Sequence, residues 1–341
     1  MTASRRARGG RIDERSFHRW LAANLWAGRH GILPLGDDAA ALRLPPGALL
    51  LGTSDVLVEG VHFLPGTEPE AVGAAAASVN LSDIAAKGGR PIALLLDLLL
   101  PPGTPPGWPR AVARGAEATV ARFGAHVVGG DTKPAPVPVV AATALGWVPT
   151  DALVRRSGAR PGDLLVVTGT VGRGGAAYRE LAKRGTTRSV RRRLVDVVPR
   201  VREGPALAPY ADAMMDTSDG VADATHLMAE ASGVRIIVAA ERLPVTPRLG
   251  RPRTARDLDV AFFGGDYELL AAVPPGRLDP ARRALLRFGC PLTVIGSIER
   301  GRGAQLERGG RREPLPRALW QPFAARPLNA GPRPSPRSAR L

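Results

Sequence analysis

The sequence predicts a mixed α/β protein of two domains, and three observations carry the prediction. Short apolar runs alternate with Ala-rich stretches of helical character along most of the chain. A length of 341 residues exceeds what one typical domain holds. Residues 149–162 are polar and turn-rich without core periodicity, and they divide that alternation into two halves. We therefore expect domains at 1–148 and 149–325, followed by an Arg-, Pro- and Ser-rich tail, 326–341, that reads as disordered.

The elements follow in order. A helix is expected over residues 13–27, because Phe17, Trp20, Leu21 and Leu25 fall on one face, Asp13 can cap the start and Gly28 follows the end. Residues 69–87 read as an Ala-rich helix stopped by Gly88-Gly89, with Asn80, Asp83 and Lys87 on one face. A solvent-facing Asp83–Lys87 pair is an even alternative for that face. Arg160-Pro161-Gly162-Asp163 reads as a turn into a strand, and Gly169–Gly175 as a strand-to-helix turn able to cradle a phosphate. Such glycine turns are structural more often than functional.

Composition bounds the function. The 44% hydrophobic content suffices for a core, and with aromatics at 4% the aliphatic residues must fill it. The formal charge of +16 is carried almost wholly by arginine. Codon bias with solvated surface arginines accounts for that better than nucleic-acid binding does, because no aromatic-interleaved basic stripe is visible. Cys290 is the only cysteine, which excludes an intrachain disulfide and multi-thiolate zinc sites. No apolar h-region follows the basic N-terminus, and the most apolar stretch, 91–100, is too short to span a bilayer and carries Asp97. A cytoplasmic protein is expected.

One arrangement recurs: an apolar run, then small residues, then an aspartate. It occurs at Leu33–Asp38, Leu49–Asp55, Val127–Asp131, Met214–Asp219 and Phe262–Glu268. Each reads as a buried strand ending in a tight turn that presents a carboxylate. Strands sharing a sheet would gather these acids at one edge, and Asp83 fits the same site. Crowded carboxylates repel, and a bound cation is the usual remedy. Oxygen ligands suit Mg²⁺, which bridges protein carboxylates and substrate phosphates. Phosphoryl transfer needs positioning and charge neutralisation above all, so the pattern suits a nucleotide triphosphate site. No P-loop, H-E-x-x-H or G-x-S-x-G motif is present, and the histidines show no ligand spacing.

Seven segments resemble the thiamine-monophosphate kinase family, in that family's order, from about residue 12 to 323. They are Gly36–Ala40, Thr53–Phe63, Val79–Gly88, Gly129–Thr132, Arg156–Gly162, Val167–Thr170 and Asp216–Gly220. The Val58-Glu-Gly-Val-His-Phe63 and Asn80-Leu-Ser-Asp-Ile-Ala-Ala-Lys-Gly88 segments single out this family from its aminoimidazole ribonucleotide synthetase-like superfamily. The resemblance implies a two-domain fold of that superfamily, whose N-terminal domains combine into a barrel in a homodimer. It implies ATP and thiamine monophosphate as substrates, thiamine diphosphate as product and Mg²⁺ as the metal. Carried across position by position, it implies Asp38, Ser54, Asp55, Asp83, Asp131, Asp216 and Asp219 as metal ligands. Asp131 and Asp219 are the expected catalytic carboxylates. Thr53, Ser54, Gly130, Arg156 and Ser218 are the expected ATP contacts, and His62, Asp266 and Trp320 the expected substrate contacts.

Two departures bear on the acceptor. Lys133 and Pro134 follow Gly129-Gly-Asp-Thr132 where the family commonly has threonine and arginine. Gly264-Gly265-Asp266-Tyr267-Glu268-Leu269 is one residue shorter than the family's usual GGEDYEL, so Gly265 stands at an acid's place unless Asp266 replaces it. Three alternatives therefore stay open: another ATP-using member of the superfamily, a catalytically silent homologue, and a basic nucleic-acid-binding protein.

Overall fold

A computed structural model describes residues 13–33, 35, 38–247 and 255–317. Trp320 and the 326–341 tail lie outside the described residues. The first half of the chain runs through α1 (Glu14–Asn24), α2 (Ala27–His30), β1 (Ala48–Val58), α3 (Pro69–Ala86), β2 (Arg90–Leu100), α4 (Gly107–Ala121), β3 (His126–Gly129), β4 (Thr132–Pro134) and β5 (Val139–Pro149). Its strands form one five-stranded sheet, ordered β1-β5-β2-β3 with β4 also paired to β2. The second half runs through β6 (Leu164–Thr168), α5 (Arg173–Arg184), α6 (Arg188–Leu194), α7 (Glu203–Leu207), β7 (Ala213–Asp216), α8 (Val221–Ser232), β8 (Arg235–Ala239), α9 (Ala255–Phe262), β9 (Leu269–Val273), α10 (Leu278–Leu286), β10 (Leu292–Glu299), β11 (Gly303–Arg308) and β12 (Arg311–Pro314). Its sheet has seven strands in the order β12-β11-β8-β10-β6-β9-β7.

The local chemistry accounts for these boundaries. Asp13 caps α1 by accepting the Ser16 N–H at 3.0 Å. The helix stops earlier than the periodicity suggests, because Leu25 turns extended and its buried side chain joins the core. The Arg160–Asp163 turn forms as expected, closed by the Arg160 N–H donated to Asp163 Oδ2 at 2.8 Å. Helix α3 is Pro-started and almost wholly buried, packed against α4, β1, β2, β5, β7 and α7. Gly and Ala at its contacts let neighbouring backbones close in. A Cβ on Gly73 would stand 1.9 Å from the Val112 carbonyl oxygen, and one on Gly204 would stand 2.2 Å from that of Ala85.

The expected strand-end aspartates divide. Asp131 follows β3 through Gly130, and Asp216 ends β7, as predicted. Asp55 instead lies inside β1, which pairs with β5 from Ala48 to Val58 without a break. The Thr53–Val58 run is β-branched enough to continue the ladder through the polar pair. Asp266 follows a helix: the Phe262-Phe263 run closes α9 rather than a strand.

Candidate phosphoryl-transfer site

Strand alternation sets which residues of β1 share a side. Thr53 and Asp55 face α3, where Thr53 Oγ1 donates to Asp83 Oδ2 at 2.6 Å. Ser54 faces the other way, donating to the Ala142 carbonyl at 3.2 Å and accepting from Thr143. Ser54 and Asp55, adjacent in sequence, are therefore not side by side in space.

The second half contributes from β7 and the loop after it. Asp216 is buried, accepting from Ser82 Oγ at 2.7 Å and Ser218 Oγ at 3.0 Å. Ser82 belongs to α3, so this bond ties the two sheets' domains together at the site. Asp219 sits just beyond, exposed, on a loop fixed by glycine contacts. Gly265 donates its N–H to the Ser218 carbonyl at 2.7 Å. A Cβ on Gly264 would stand 2.4 Å from that same oxygen, and one on Gly220 would stand 2.0 Å from the Phe262 carbonyl oxygen. The backbones touch here, and only glycine permits it.

Asp55, Asp83, Asp216 and Asp219 thus form one electrostatic group drawn from both halves of the chain. Burial first, and then Asp83 and Asp219, push the Asp55 carboxyl up to about 6. Burial and Asp83 push Asp216 up to about 6 against the pull of its serine donors. Asp219 is exposed yet raised, first by the partial desolvation of its carboxyl and then by Asp223 and Asp83. Lys87 reaches the group from the end of α3, donating Nζ to the Met214 carbonyl at 3.2 Å. Burial and the neighbouring Arg156 lower its ammonium pKa, while Asp216 and Asp83 oppose them. Asp83 and Lys87 therefore answer to the site and are not a surface pair. Arg156 itself is exposed beside Lys87.

Tyr267 belongs to the same group, although neither its spacing nor its type pointed there. Its hydroxyl pKa is raised by burial and then by Asp216, Asp55, Asp219 and Asp83. Among the described residues it alone, glycines apart, has positive φ, at 55°. That conformation is rare for a bulky residue and concentrates at functional sites. Ser82 and Lys87 were also missed as site residues, and both lie within the Asn80–Gly88 segment that signalled the site.

Other expected site residues are placed elsewhere. Asp131 is exposed, held by Lys133 Nζ at 2.8 Å and by the Thr132 N–H at 2.7 Å, with its carboxyl held below the usual range chiefly by Lys133. Its carboxyl is engaged by Lys133, and its N–H is donated to Asp97 Oδ1 at 2.6 Å. Gly130 turns the chain into Asp131 at φ 143° with no room for a side chain, the Leu96 carbonyl oxygen lying 1.8 Å from a would-be Cβ. Asp38 is exposed. His62 accepts the Val58 N–H on Nδ1 at 3.1 Å, and burial lowers its pKa, so it stands neutral with its proton on Nε2.

Asp266 is fully buried and accepts the N–H groups of Gly172, Arg173 and Gly174 at 2.6, 2.7 and 3.1 Å. The glycine-rich turn does present a helix N-terminus to an anion, and the anion is this side chain. Next to it the buried Glu268 receives a two-pronged ion pair from Arg200, Nε at 2.6 Å and Nη2 at 2.5 Å, and a bond from Thr168 Oγ1 at 2.7 Å. Gly265 carries no acid toward the site, and only the Gly174 Cα stands near its would-be Cβ.

Among the described residues no three metal-binding side chains stand close enough to enclose an ion unaided. The donor set nevertheless suits Mg²⁺, which keeps several waters and is held by one or two carboxylates together with substrate phosphates. Two carboxyls raised to about 6 mark a site whose own charges are unbalanced, and a divalent ion held there would balance them.

Known proteins share this architecture. Residues 36–148 match the family described as AIR synthase related protein, N-terminal domain, and residues 160–308 match its C-terminal domain. The thiamine-monophosphate kinase of Synechococcus elongatus is 36% identical over 312 residues, 84% of this chain and 94% of that protein. The crystal structure of thiamine-monophosphate kinase from Stenotrophomonas maltophilia K279a superposes with a TM-score of 0.75 at 33% identity, covering 82% of this chain and 91% of that one. A structure of AaThiL complexed with AMPPCP and TMP superposes with a TM-score of 0.69 at 31% identity, covering 81% and 88%. The expected two-domain, AIR synthase-like fold is the fold found. With identity above a third across nearly all of a curated relative, the chain belongs to the thiamine-monophosphate kinase family.

Proposed function

We propose that this protein transfers the γ-phosphoryl group of ATP to thiamine monophosphate, giving ADP and thiamine diphosphate. The observation that carries the reading is the four-carboxylate group assembled from both halves of the chain, in a family whose relatives bear that activity's name. Asp55, Asp83, Asp216 and Asp219 would hold Mg²⁺ between protein and phosphate oxygens, and the bound ion would neutralise charge on the transferring group. Thr53 fixes the orientation of Asp83, and Ser82 and Ser218 fix Asp216. Lys87 and Arg156 supply positive charge beside the phosphates. The acceptor is a phosphate monoester, already ionised near neutral pH (second pKa ~6), so no general base is needed. A neutral His62 outside the group fits a substrate contact better than a base.

Asp38 and Asp131 complete the proposed metal set, Ser54 and Gly130 the proposed ATP contacts, and Asp266 and Trp320 the proposed substrate contacts. Support for Asp131, Ser54 and Asp266 rests on motif position alone, since their side chains are engaged elsewhere. The chain divides at 148/149 in this reading. The protein works as a cytoplasmic homodimer, with the outer face of the first sheet as its interface. Leu50 and Val56 leave that face apolar and uncovered at 55% and 46% exposure. Among the described residues no helix is long and apolar enough to cross a membrane.

A coupled ADP-release assay with Mg²⁺ and ATP tests the reaction, comparing thiamine monophosphate, thiamine and aminoimidazole precursors. Thiamine diphosphate as product supports it. Turnover only with another acceptor would move the protein to a sister activity, and no turnover with any acceptor would sink the assignment.

A further inference from the structure

Apart from the carboxylate group, a groove of about 400 Å³ opens between the two sheet domains. Arg90, Arg122 and Phe123 line one side, and Arg202, Arg287 and Phe288 line the other. Among the described residues no acid lines it, and it shares no residue with the proposed transfer site. Arginines elsewhere on this surface, such as Arg114, Arg188, Arg277 and Arg312, hold carboxylates. Among the described residues Arg90, Arg122, Arg202 and Arg287 have no such partner.

Each of these four stacks on an aromatic ring instead. Arg122 and Arg202 lie 5.6 and 5.9 Å from the Phe123 centroid, Arg287 lies 4.7 Å from Phe288, and Arg90 lies 5.6 Å from Trp147. Stacking holds a guanidinium in place while leaving its N–H fork free to donate. Four like charges around one groove repel, and a multivalent anion removes that repulsion. The volume lies within the ~300–1,000 Å³ range of small-ligand sites. Because guanidiniums already cover the phenyl rings, recognition here runs through charge and N–H forks and not through a stacked base.

We propose that this interdomain groove binds a compact oligophosphate, either inorganic or the phosphate tail of a nucleotide, through Arg90, Arg122, Arg202 and Arg287. Its walls come from both domains, so an occupant bridges them at a place remote from phosphoryl transfer.

The test is calorimetric titration of the full chain with inorganic tripolyphosphate in EDTA, which withholds divalent ions from the carboxylates. We expect saturable binding of one anion per chain. R122Q/R202Q should weaken it at least ten-fold with an unchanged melting temperature, while D55N/D219N leaves it intact. A parallel titration with ATP separates the sources: equal affinity points to the phosphate tail alone, and tighter binding points to a nucleotide. Absence of saturable binding overturns the proposal, as does loss of binding in D55N/D219N. Equal weakening by R300Q/R302Q, on the exposed turn after β10, would reduce the effect to net charge and overturn it too. So would binding of a single-stranded RNA by a chain that ignores tripolyphosphate.

Discussion

Asp216 accepts hydrogen bonds from two serines, which favour its charged form, yet its carboxyl rises to about 6 because burial and Asp83 outweigh them. Asp55 rises equally with no such donors. An acid whose pKa is raised on folding binds its proton more tightly in the folded state. The stability this gives is complete below its unfolded value near 4 and is lost as pH rises through about 6. The metal-free chain should therefore melt at a lower temperature at pH 7.5 than at pH 5, and Asp55→Asn should shrink that difference. Mg²⁺ with ATP should raise the melting temperature more at pH 7.5 than at pH 5. Scanning calorimetry checks both, and an Asp55→Asn profile parallel to the parent would refute the account. For catalysis, Asp219→Asn should lower kcat by about 10²-fold or more with the fold intact, the scale of losing one electrostatic stabiliser. Asp131→Asn separates motif from geometry in the same assay: a comparable loss would place Asp131 on the phosphates, and parent-like turnover would leave it as the partner of Lys133. The sequence made Asp55, Asp83, Asp216 and Asp219 legible because each lies in a motif. It could not reveal that Asp266 faces backbone amides, since a Gly-Asp turn reads identically whether the carboxylate points into a cleft or into a helix end.

Helix α5 and the 264–268 segment act together as the support under Asp219. A Cβ on Gly174 would stand 2.0 Å from the Gly264 carbonyl oxygen, and one on Gly264 would meet the Ser218–Asp219 backbone. Gly264→Ala should therefore displace that loop and depress kcat far more than it depresses stability; an unchanged kcat would refute the packing argument. Asp266 and Glu268 have a different task. Glu268→Gln breaks a buried ion pair and leaves Arg200 only its longer contact with Glu203 at 3.4 Å, and removal of one partner from a buried pair costs up to about 3–5 kcal/mol. Urea denaturation should show a lower midpoint at constant m-value. Most elements were readable from pattern: α3 from its Ala run and glycine stop, α1 from its cap and apolar face. The β1 boundary was not, because Gly52 and Asp55 look like a turn until the β5 ladder is seen to pass through them.

Across the molecule, +16 of formal charge surrounds a site built from carboxylates. A basic surface draws in anionic substrates over a distance, and the effect fades as salt shortens the Debye length to about 8 Å at physiological strength. KM for ATP should accordingly rise with ionic strength while kcat changes little; the reverse pattern would argue against steering. The charge was plain in the sequence, but its arrangement was not. The convergence of unpaired arginines on one groove depends on which helix ends meet across the two sheets. For the same reason the meeting of Asp216 with Asp83 could be guessed but not measured, since the two lie in different halves of the chain.

Helix α3 touches both halves, and its glycine and alanine contacts are backbone against backbone. Such contacts have no flexible atoms to compress, so this helix behaves as a fixed axle. Asp83 and Ser82 ride on it, one gripping β1 and the other gripping β7. Because the Asp219 loop is held by backbone contacts of the same kind, any adjustment to the size of a bound ligand falls to side chains, chiefly the exposed Arg156. In the proposed reaction Asp83 would be the immobile reference against which the phosphates are measured.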